Sequence, residues 1–443
     1  MSKLRKFYRF GFIGAASMGL ALAVCVPALA ADTTSKVDAG DTAWVLASAA
    51  LVMLMTPALG LFYGGMVRQK NVLSTIMHSF FLVALVGVQW VVYGYSLAFG
   101  PDHWGIIGGL NWFGLNGVGG TPNPDYAGTI PHQAFMIYQA MFAIITPALI
   151  TGAFAERMRF KSYVIFMILW ATLVYDPICH WVWAPGGWLR SLGALDFAGG
   201  TVVHISSGIA ALCCAIVMGR RQGYGRDEIM PHNVTMTVLG AGLLWFGWFG
   251  FNAGSALGAN ALATSAFVVT NTAAAAGTLS WCLIEGFHRG KPTALGAASG
   301  AVAGLVAITP ASGYVGPMAA IAIGGVVSLL CYTAIMLKSR FGYDDSLDVF
   351  GVHGIGGIWG ALATGLFASK LINSAGGNGL FFGNGKLILS QLAAIGAVCV
   401  YSFVVTFILL KVVGLVSELR VSKDDEIVGL DLTQHGEFGY HNS

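Results

Sequence analysis

Eleven apolar segments, separated by short polar loops, follow one another along the chain. From Ala31 onward they run approximately over 42–66, 74–99, 132–155, 160–183, 199–219, 233–252, 260–286, 293–309, 314–337, 346–369 and 386–417. A helix needs about 20 mainly apolar residues to cross a bilayer, and most of the segments have that length. The pattern therefore predicts an all-α polytopic membrane protein with eleven transmembrane helices.

Basic residues gather in alternate loops between these segments. Five loops carry most of them, whereas the other five carry only Arg190, Lys370 and Lys386. The basic loops hold Arg68, Lys70, Arg157, Arg159, Lys161, Arg220, Arg221, Arg226, Arg289, Lys291, Lys338 and Arg340. Because Lys and Arg accumulate on the cytoplasmic side, the asymmetry predicts an outer N-terminus and an inner C-terminus. Residues 31–417 then form the transmembrane domain and residues 418–443 a cytoplasmic tail.

The first thirty residues have the features of a cleaved signal peptide. A basic stretch from Lys3 to Arg9 precedes an apolar run at 11–26, and Ala28-Leu29-Ala30 fits a cleavage site with small residues. The alternative is a first transmembrane helix that is retained. Cleavage places the start of the mature chain outside the cytoplasm, which agrees with an odd number of spans.

The composition excludes several classes of protein. Hydrophobic residues make up 56% of the chain and charged residues 10%, against about 25% charged in soluble domains. The 61 glycines allow close approach of helices in lipid. A net charge of only +3 makes nucleic acid an improbable partner. The seven cysteines form no CxxC pair and are interpreted as small buried hydrophobic residues.

Two spans carry related sequences around a histidine. His204 in the fifth span and His353 in the tenth both stand in the pattern Val-His-x-x-x-Gly-Ile. The copies are five spans apart, so the second runs through the membrane in the opposite direction. This is the pattern of an inverted repeat, in which the functional site lies between the halves.

The two histidines permit two interpretations. An ionisable side chain inside a membrane usually faces a partner or a pathway, and two neutral rings can hydrogen-bond each other and still offer a polar edge to a small solute. The predicted boundaries leave the rings about 12 Å apart in depth. Contact therefore requires shifted boundaries or broken helices. The alternative is a pair of core histidines that are satisfied separately.

Aromatic and polar residues cluster at the outer end of the fourth span. They are Trp181, Trp183 and Trp188 around Asp176, His180 and Asp196. Tryptophans at this level usually form a belt at the membrane interface, which is the favoured interpretation. The alternative is a cation site, because a desolvated indole face attracts cations and Ser255 could accept a hydrogen bond from the ion.

Three other residues have a structural and a functional interpretation. Asp196 opens the fifth span, where a helix N-cap is favoured, and the alternative is a charge that supports the cation site. Phe142 and Phe251 could close a pore, but ordinary packing is the stronger interpretation from the residues alone.

Four long motifs and the tail resemble a known family. They are GAFAER at 152–157, DFAGGTVVH at 196–204, GWFGFNAGS at 247–255, DVFGVHG at 348–354, and GLD with HGE at 429–431 and 435–437. The chain resembles the ammonium transporter (Amt) family of bacterial type, within the Amt/Rhesus superfamily. The resemblance covers everything after the signal peptide, with the motifs in order.

The resemblance implies a fold, an assembly and roles for individual residues. It implies two inverted five-helix repeats plus an eleventh helix, assembled as a homotrimer with one pore per subunit. The implied gate is Phe142 with Phe251, the ammonium-binding site Trp183, Ser255 and Asp196, and the pore pair His204 with His353. Two features depart from the family pattern. The stretch from Trp183 to Asp196 is one residue longer and contains Trp188, and Tyr138 stands where Phe is common.

The implied activity is transport and not catalysis, with no cofactor and no metal. Ammonium would be recruited at the outer vestibule and deprotonated near the gate, and ammonia would be conducted with or without separate proton transfer. The implied location is the bacterial inner membrane, with a cytoplasmic PII-type signalling protein as partner.

Three alternatives remain beside this function. The first is a Rhesus-type passive channel for ammonia or carbon dioxide, and the second is an ammonium sensor working with a PII-type regulator. The third is a membrane enzyme that binds a metal among His180, His204 and His353. The sequence has no HxxxH or HExxH motif, which argues against this alternative.

Overall fold

The computed structural model of the protein describes residues 36–440, so the signal peptide predicted at 1–30 lies outside the described residues. Within 36–440, ten helices are long and apolar enough to cross a membrane, and another apolar helix is shorter. In chain order these helices are α1 (Ala39–Met66), α2 (Gln69–Phe99), α3 (His132–Phe154), α4 (Phe160–Ser191), α5 (Gly200–Met218), α6 (Val234–Ala256), α7 (Ala261–Arg289), the shorter α8 (Ala294–Ile308), α9 (Pro317–Phe341), α10 (Phe350–Phe367) and α11 (Lys386–Val416).

Each apolar segment of the sequence corresponds to one of these helices, and all but two ends agree within four residues. One of the two exceptions is the end of α4, where regular helix stops at Trp183 and a turn leads into Trp188–Ser191. The short helix α8 spans only about 22 Å at 1.5 Å per residue. Residues 300–308 of α8 are all buried, so protein and not lipid surrounds this part of the helix.

The ends of the helices define two faces of the molecule. A two-stranded antiparallel hairpin, β1 (Asp102–His103) with β2 (Ile107–Gly108), follows α2, and we call that end the hairpin face. At the opposite end, which we call the tail face, the C-terminal segment carries the short helix α12 (Lys423–Val428). The Asp431 carboxylate accepts hydrogen bonds from Leu73 N and Ser74 N at the start of α2, at 3.0 and 2.8 Å. The tail is therefore packed against the helices.

Helices α5 and α10 run in opposite directions and cross near their first turns. A Cβ atom on Gly208 would lie 2.2 Å from the backbone nitrogen of Gly354, and one on Gly357 would lie 3.0 Å from the Cβ of His204. Both helices begin with a π-helical turn, Gly200–Ile205 and Phe350–Gly354. Only glycine permits this contact of backbone with backbone.

The crossing corrects the predicted separation of the two histidines, because their rings are in contact. The predicted separation in depth of about 12 Å assumed that both helices start at the membrane surface. Instead, irregular buried segments lead into them, with Asp196 and Ala198 before α5, and Asp345 and Val349 before α10. Each helix thus starts below its face, and both histidines come to the same depth.

The crossing predicts a stability effect for Gly208→Ala. The added methyl group would meet backbone atoms that cannot rotate away, so the free energy of unfolding should fall by about 1–3 kcal/mol. Thermal unfolding of the purified protein in detergent measures this. Gly396→Ala in α11 is the matched control, because a Cβ there meets no atom within 4 Å. Equal midpoints for the two variants would contradict the close crossing.

Candidate functional site

His204 and His353 form a hydrogen-bonded pair at the crossing. Their Nδ1 atoms lie 3.2 Å apart, and the rings are stacked at a centroid distance of 5.3 Å and an angle of 22°. Two facing nitrogens make a hydrogen bond only if one carries a proton and the other does not. The geometry therefore fits a neutral pair of complementary tautomers. His204 Nε2 is buried without a protein partner, so the pair keeps a polar edge free.

The pair borders a narrow apolar cavity of about 10 Å³. Besides the two imidazoles, its walls are Met55, Leu59, Ile145, Leu149, Val203, Leu244, Trp248, Phe251 and Val302. Trp248 stacks on His204 at 5.5 Å and 22°, and its indole N–H donates to Thr309 at 2.9 Å. The volume is close to the smallest that holds one water molecule. A hydrated ion does not fit this space.

Phe142 and Phe251 lie on the hairpin side of the cavity. Their ring centroids are 4.4 Å apart at an angle of 43°. The edge of Phe142 also meets Trp183, at 5.7 Å and 88°. The structure thus brings both predicted gate residues and one predicted tryptophan into a single aromatic cluster.

Ser255 and Tyr138 complete this cluster with hydroxyl groups. The two oxygens lie 3.1 Å apart, and the Ser255 hydroxyl also donates to Phe251 O at 2.9 Å. Trp188, in contrast, packs on Trp181 at 5.7 Å and is 38% exposed. Trp183 is therefore the tryptophan that borders the phenylalanine pair, and Trp188 belongs to the surface.

Asp196 caps the start of α5, as the favoured interpretation of the sequence predicted. Its carboxylate accepts hydrogen bonds from the backbone N–H groups of residues 199–202, at 2.7 to 3.2 Å, and from the Thr201 hydroxyl. Its backbone carbonyl accepts a hydrogen bond from the Trp183 indole at 2.9 Å. Asp196 thus joins Trp183 to the helix that carries His204.

A corresponding acid stands at the start of α10. One oxygen of Asp345 accepts a hydrogen bond from Phe350 N at 2.7 Å. Burial raises the pKa of Asp345 to about 6. The two helices that carry the histidines are therefore both capped by a buried carboxyl group at opposite faces of the molecule.

Charged residues on the tail face form a buried network. Arg221 binds Asp344 through Nε and Nη2, both at 2.9 Å, and Glu156 binds Arg68 at 2.7 Å. Burial raises the pKa of Glu156, but hydrogen bonds from Arg68 and the charge of Arg221 outweigh it, and the net shift is downward. These contacts give Glu156 and Asp344 a structural role.

His180 lies apart from the histidine pair. Its Nδ1 and Nε2 are both taken by other groups, the Ala98 carbonyl at 2.9 Å and the Asp102 carboxylate at 2.8 Å. Across residues 36–440, no group of three or more His, Cys, Asp or Glu is arranged to hold a metal ion. The structure does not bring together the three histidines of the metalloenzyme alternative.

Trp248 was not singled out from the sequence. The sequence feature that could have identified Trp248 is its position three residues before Phe251 in α6, because residues three apart share a helix face. Such a signal becomes informative only once Phe251 is known to face a cavity.

A model of the Ammonium Transporter Family matches residues 43–440 of the chain. The chain belongs to the ammonium transporter family. It is 56% identical to an ammonium transporter of Bacillus subtilis over 91% of this chain and 99% of that protein. It is also 51% identical to the ammonium transporter Amt1 of Archaeoglobus fulgidus, over 90% of this chain and 99% of that one. The resemblance found in the sequence motifs is confirmed.

Solved structures of the family have the same fold. The crystal structure of Saccharomyces cerevisiae Mep2 superimposes with a TM-score of 0.86 at 40% identity, covering 94% of this chain and 95% of that chain. A structure described as a sensor Amt protein superimposes with a TM-score of 0.82 at 29% identity, covering 89% and 98%.

Removal of the Asp196 cap should destabilise the protein. Asp196→Ala would leave the buried backbone N–H groups at the start of α5 without acceptors. The free energy of unfolding should therefore fall by at least about 2 kcal/mol. Asp38→Ala is the matched control, because the exposed Asp38 carboxylate accepts only one hydrogen bond, from Asp41 N at 2.8 Å. Chemical or thermal unfolding compares the two. A loss no larger than that of the control would show that the cap at 196 carries little stability.

Proposed function

We propose that this chain transports ammonium across the membrane by conducting it as ammonia. One observation supports this most: a stacked imidazole pair, with Nδ1 atoms 3.2 Å apart, borders a narrow apolar cavity of about 10 Å³. The relatives at 56% and 51% identity are both named ammonium transporters, which supports the same function. The chain is then a transporter and not an enzyme.

Recruitment of the ion takes place on the hairpin side of Phe142. The indole of Trp183 offers a face for a cation–π contact, and the hydroxyls of Ser255 and Tyr138 can accept hydrogen bonds from ammonium. The Asp196 carboxylate is occupied by the start of α5, so it contributes its charge without touching the ion, and the Asp196 backbone carbonyl holds Trp183 in position.

Passage requires the solute to lose its charge. An ion without partners is very costly in an apolar environment, and the cavity beyond the Phe142–Phe251 pair is lined almost entirely by apolar groups. Ammonium can leave a proton behind near the phenylalanine gate, whereas K⁺ has none to lose. Ammonia then passes His204 and His353, which offer it hydrogen bonds. If the proton follows separately along the histidines, net charge crosses the membrane and transport is electrogenic. If the proton stays behind, only ammonia crosses and transport is electroneutral.

The membrane topology follows from the distribution of charge on the two faces. Arg68, Arg157 and Arg221 lie on the tail face, whereas basic residues are sparse on the hairpin face. By the positive-inside rule the tail face is cytoplasmic. The mature chain then has eleven spans, including α8, and two inverted five-helix repeats. The N-terminus is outside in the bacterial inner membrane, after cleavage of residues 1–30.

A homotrimer and a PII-type regulator complete the proposal. α7 and α9 expose apolar side chains over much of their length, among them Leu279, Leu283 and Leu329, which suits contact with lipid or with a second copy.

The packed tail at 418–440 forms the surface that a cytoplasmic regulator would meet. A role purely as a sensor is less favoured, because identity to the sensor Amt structure is 29%, against 56% to a transporter.

The histidine pair can be tested with His204→Ala and His353→Ala. Each change removes the polar edge from the apolar passage, so ammonium flux should fall at least about tenfold, or selectivity over K⁺ should be lost. Uptake into proteoliposomes under an ammonium gradient measures both. His78→Ala is the control, since His78 is another buried membrane histidine, away from the cavity. Normal flux and selectivity in both pair variants would refute the proposed role.

Ser255→Ala tests the recruitment site. Loss of one hydrogen bond to the ion, about 1 kcal/mol, should raise the half-saturating ammonium concentration about fivefold and leave the maximal rate unchanged. Thr264→Ala removes a hydroxyl from the same face, where it bonds only Asn260 O, and should change neither value. An unaltered half-saturating concentration in Ser255→Ala would remove this residue from the site.

A further inference from the structure

Two of the few basic residues on the hairpin face line one cavity. Between the spanning helices, that face carries only Arg190, Lys370 and Lys386. Arg190 and Lys386 both border a cavity of about 640 Å³ that also reaches Trp183. Its other polar wall residues are Asp196, Tyr314, Asn384 and Ser390. We call this space the basic cavity.

The two basic side chains in this wall are available to a ligand. Both residues are exposed, and the ion pairs found within residues 36–440 include neither of them. Arg190 donates through Nη1 to Trp183 O at 2.6 Å. A guanidinium has five N–H donors and an ammonium group has three. Most of these donors therefore remain for a bound molecule.

The one carboxylate in the wall is already occupied by hydrogen-bond donors. Asp196 accepts from the backbone N–H groups of residues 199–202 and from the Thr201 hydroxyl. A carboxylate has about four lone-pair sites, so these donors saturate it. Arg190 and Lys386 thus need another anion as their partner.

The start of α11 adds positive potential to the same cavity. This helix begins at Lys386, and its N-cap residue Gly385 offers no side chain as an acceptor. The first backbone N–H groups of a helix lack partners inside it, and its N-terminus carries a partial positive charge. Asn384 accepts from Lys386 N at 3.1 Å, and Leu387 lines the cavity. Positive charge from the end of α4 and the start of α11 therefore meets in one space.

The size and the donors of the basic cavity suit an oxyanion. Its volume lies in the range of sites for small molecules. Arginine can bind two oxygens of one phosphate or carboxylate group, and lysine binds phosphate as a point charge. The narrow apolar cavity beside the histidines has neither the room nor the donors for such a ligand.

We propose that the basic cavity binds a phosphate group between Arg190 and Lys386, and that the bound anion strengthens ammonium recruitment at Trp183. Because Arg190 donates to the Trp183 carbonyl, its charge lies near the recruitment site and repels a cation there. A bound anion neutralises this charge without entering the passage. This inference rests on the proposed transport function.

The phosphate group can come from two sources. One is inorganic phosphate in the outer solution, and the other is the headgroup of an anionic phospholipid in the outer leaflet. Leu192, which lines the cavity, is 48% exposed, and Leu389 on α11 is 66% exposed. Apolar surface that suits lipid therefore adjoins the cavity, and the test includes both sources.

Transport in vesicles of zwitterionic phosphatidylcholine tests the site with inorganic phosphate. Replacement of chloride by phosphate, at constant pH and ionic strength, should lower the half-saturating ammonium concentration about threefold without changing the maximal rate. Lys386→Gln should abolish this response, because it removes one of the two cations. Lys370→Gln is the matched control and should respond as the wild type does, since Lys370 is the third basic residue of this face and lies outside the cavity.

A second arm replaces part of the phosphatidylcholine by phosphatidylglycerol, in chloride alone. If the lipid headgroup is the ligand, these vesicles should lower the half-saturating concentration of the wild type but not of Lys386→Gln, and added phosphate should have no further effect. The comparison with Lys386→Gln separates binding in the cavity from the general attraction of cations to an anionic membrane.

Two results would overturn the inference. One is a half-saturating concentration that neither phosphate nor phosphatidylglycerol changes, and the other is an undiminished response in Lys386→Gln. Equilibrium dialysis of the purified protein against radiolabelled phosphate measures binding without transport. Saturable binding that depends on Lys386, in a protein that takes up no ammonium, would refute the proposed function and leave the anion site in place. The two failures are therefore distinct.

Discussion

Contact of backbone with backbone between α5 and α10 is the constraint on which the candidate site depends. Gly208 and Gly357 let the two antiparallel helices cross within the first three turns of each. Each helix starts below its own face, after a buried segment that ends in a carboxyl cap. Only this arrangement brings one side chain from each half of the chain to the same depth, where two neutral rings can share a hydrogen bond.

Charged groups are arranged differently on the tail face, at the cavity and on the hairpin face. On the tail face, the carboxylates of Glu156 and Asp344 are balanced by arginines at short range. Between the two faces, the cavity beside the imidazoles offers an ion no such partner. On the hairpin face, Asp196 stabilises the start of α5 and at the same time holds the indole of Trp183 through its carbonyl. The site proposed for recruitment and the helix that carries His204 are therefore joined through one residue.

Much of the fold could be predicted from the sequence, because lipid imposes the length and apolar character of each span. The eleven segments, the cap at Asp196 and the relation between His204 and His353 all followed from local pattern. The depth of the two histidines did not, since it depends on buried irregular segments that look like ordinary loops. The contact of His180 with Asp102 joins residues 78 positions apart, and nothing in the local sequence of either residue indicates it.

The glycine crossing also bears on how the two halves of the fold can move. Many transporters built from inverted repeats work by rocking one half against the other. Here such a motion would pull apart backbones that are already in contact, and it would separate the stacked rings. Passage of ammonia as proposed above leaves this contact intact, so the proposed function requires no rocking of one half of the fold against the other for each molecule that crosses.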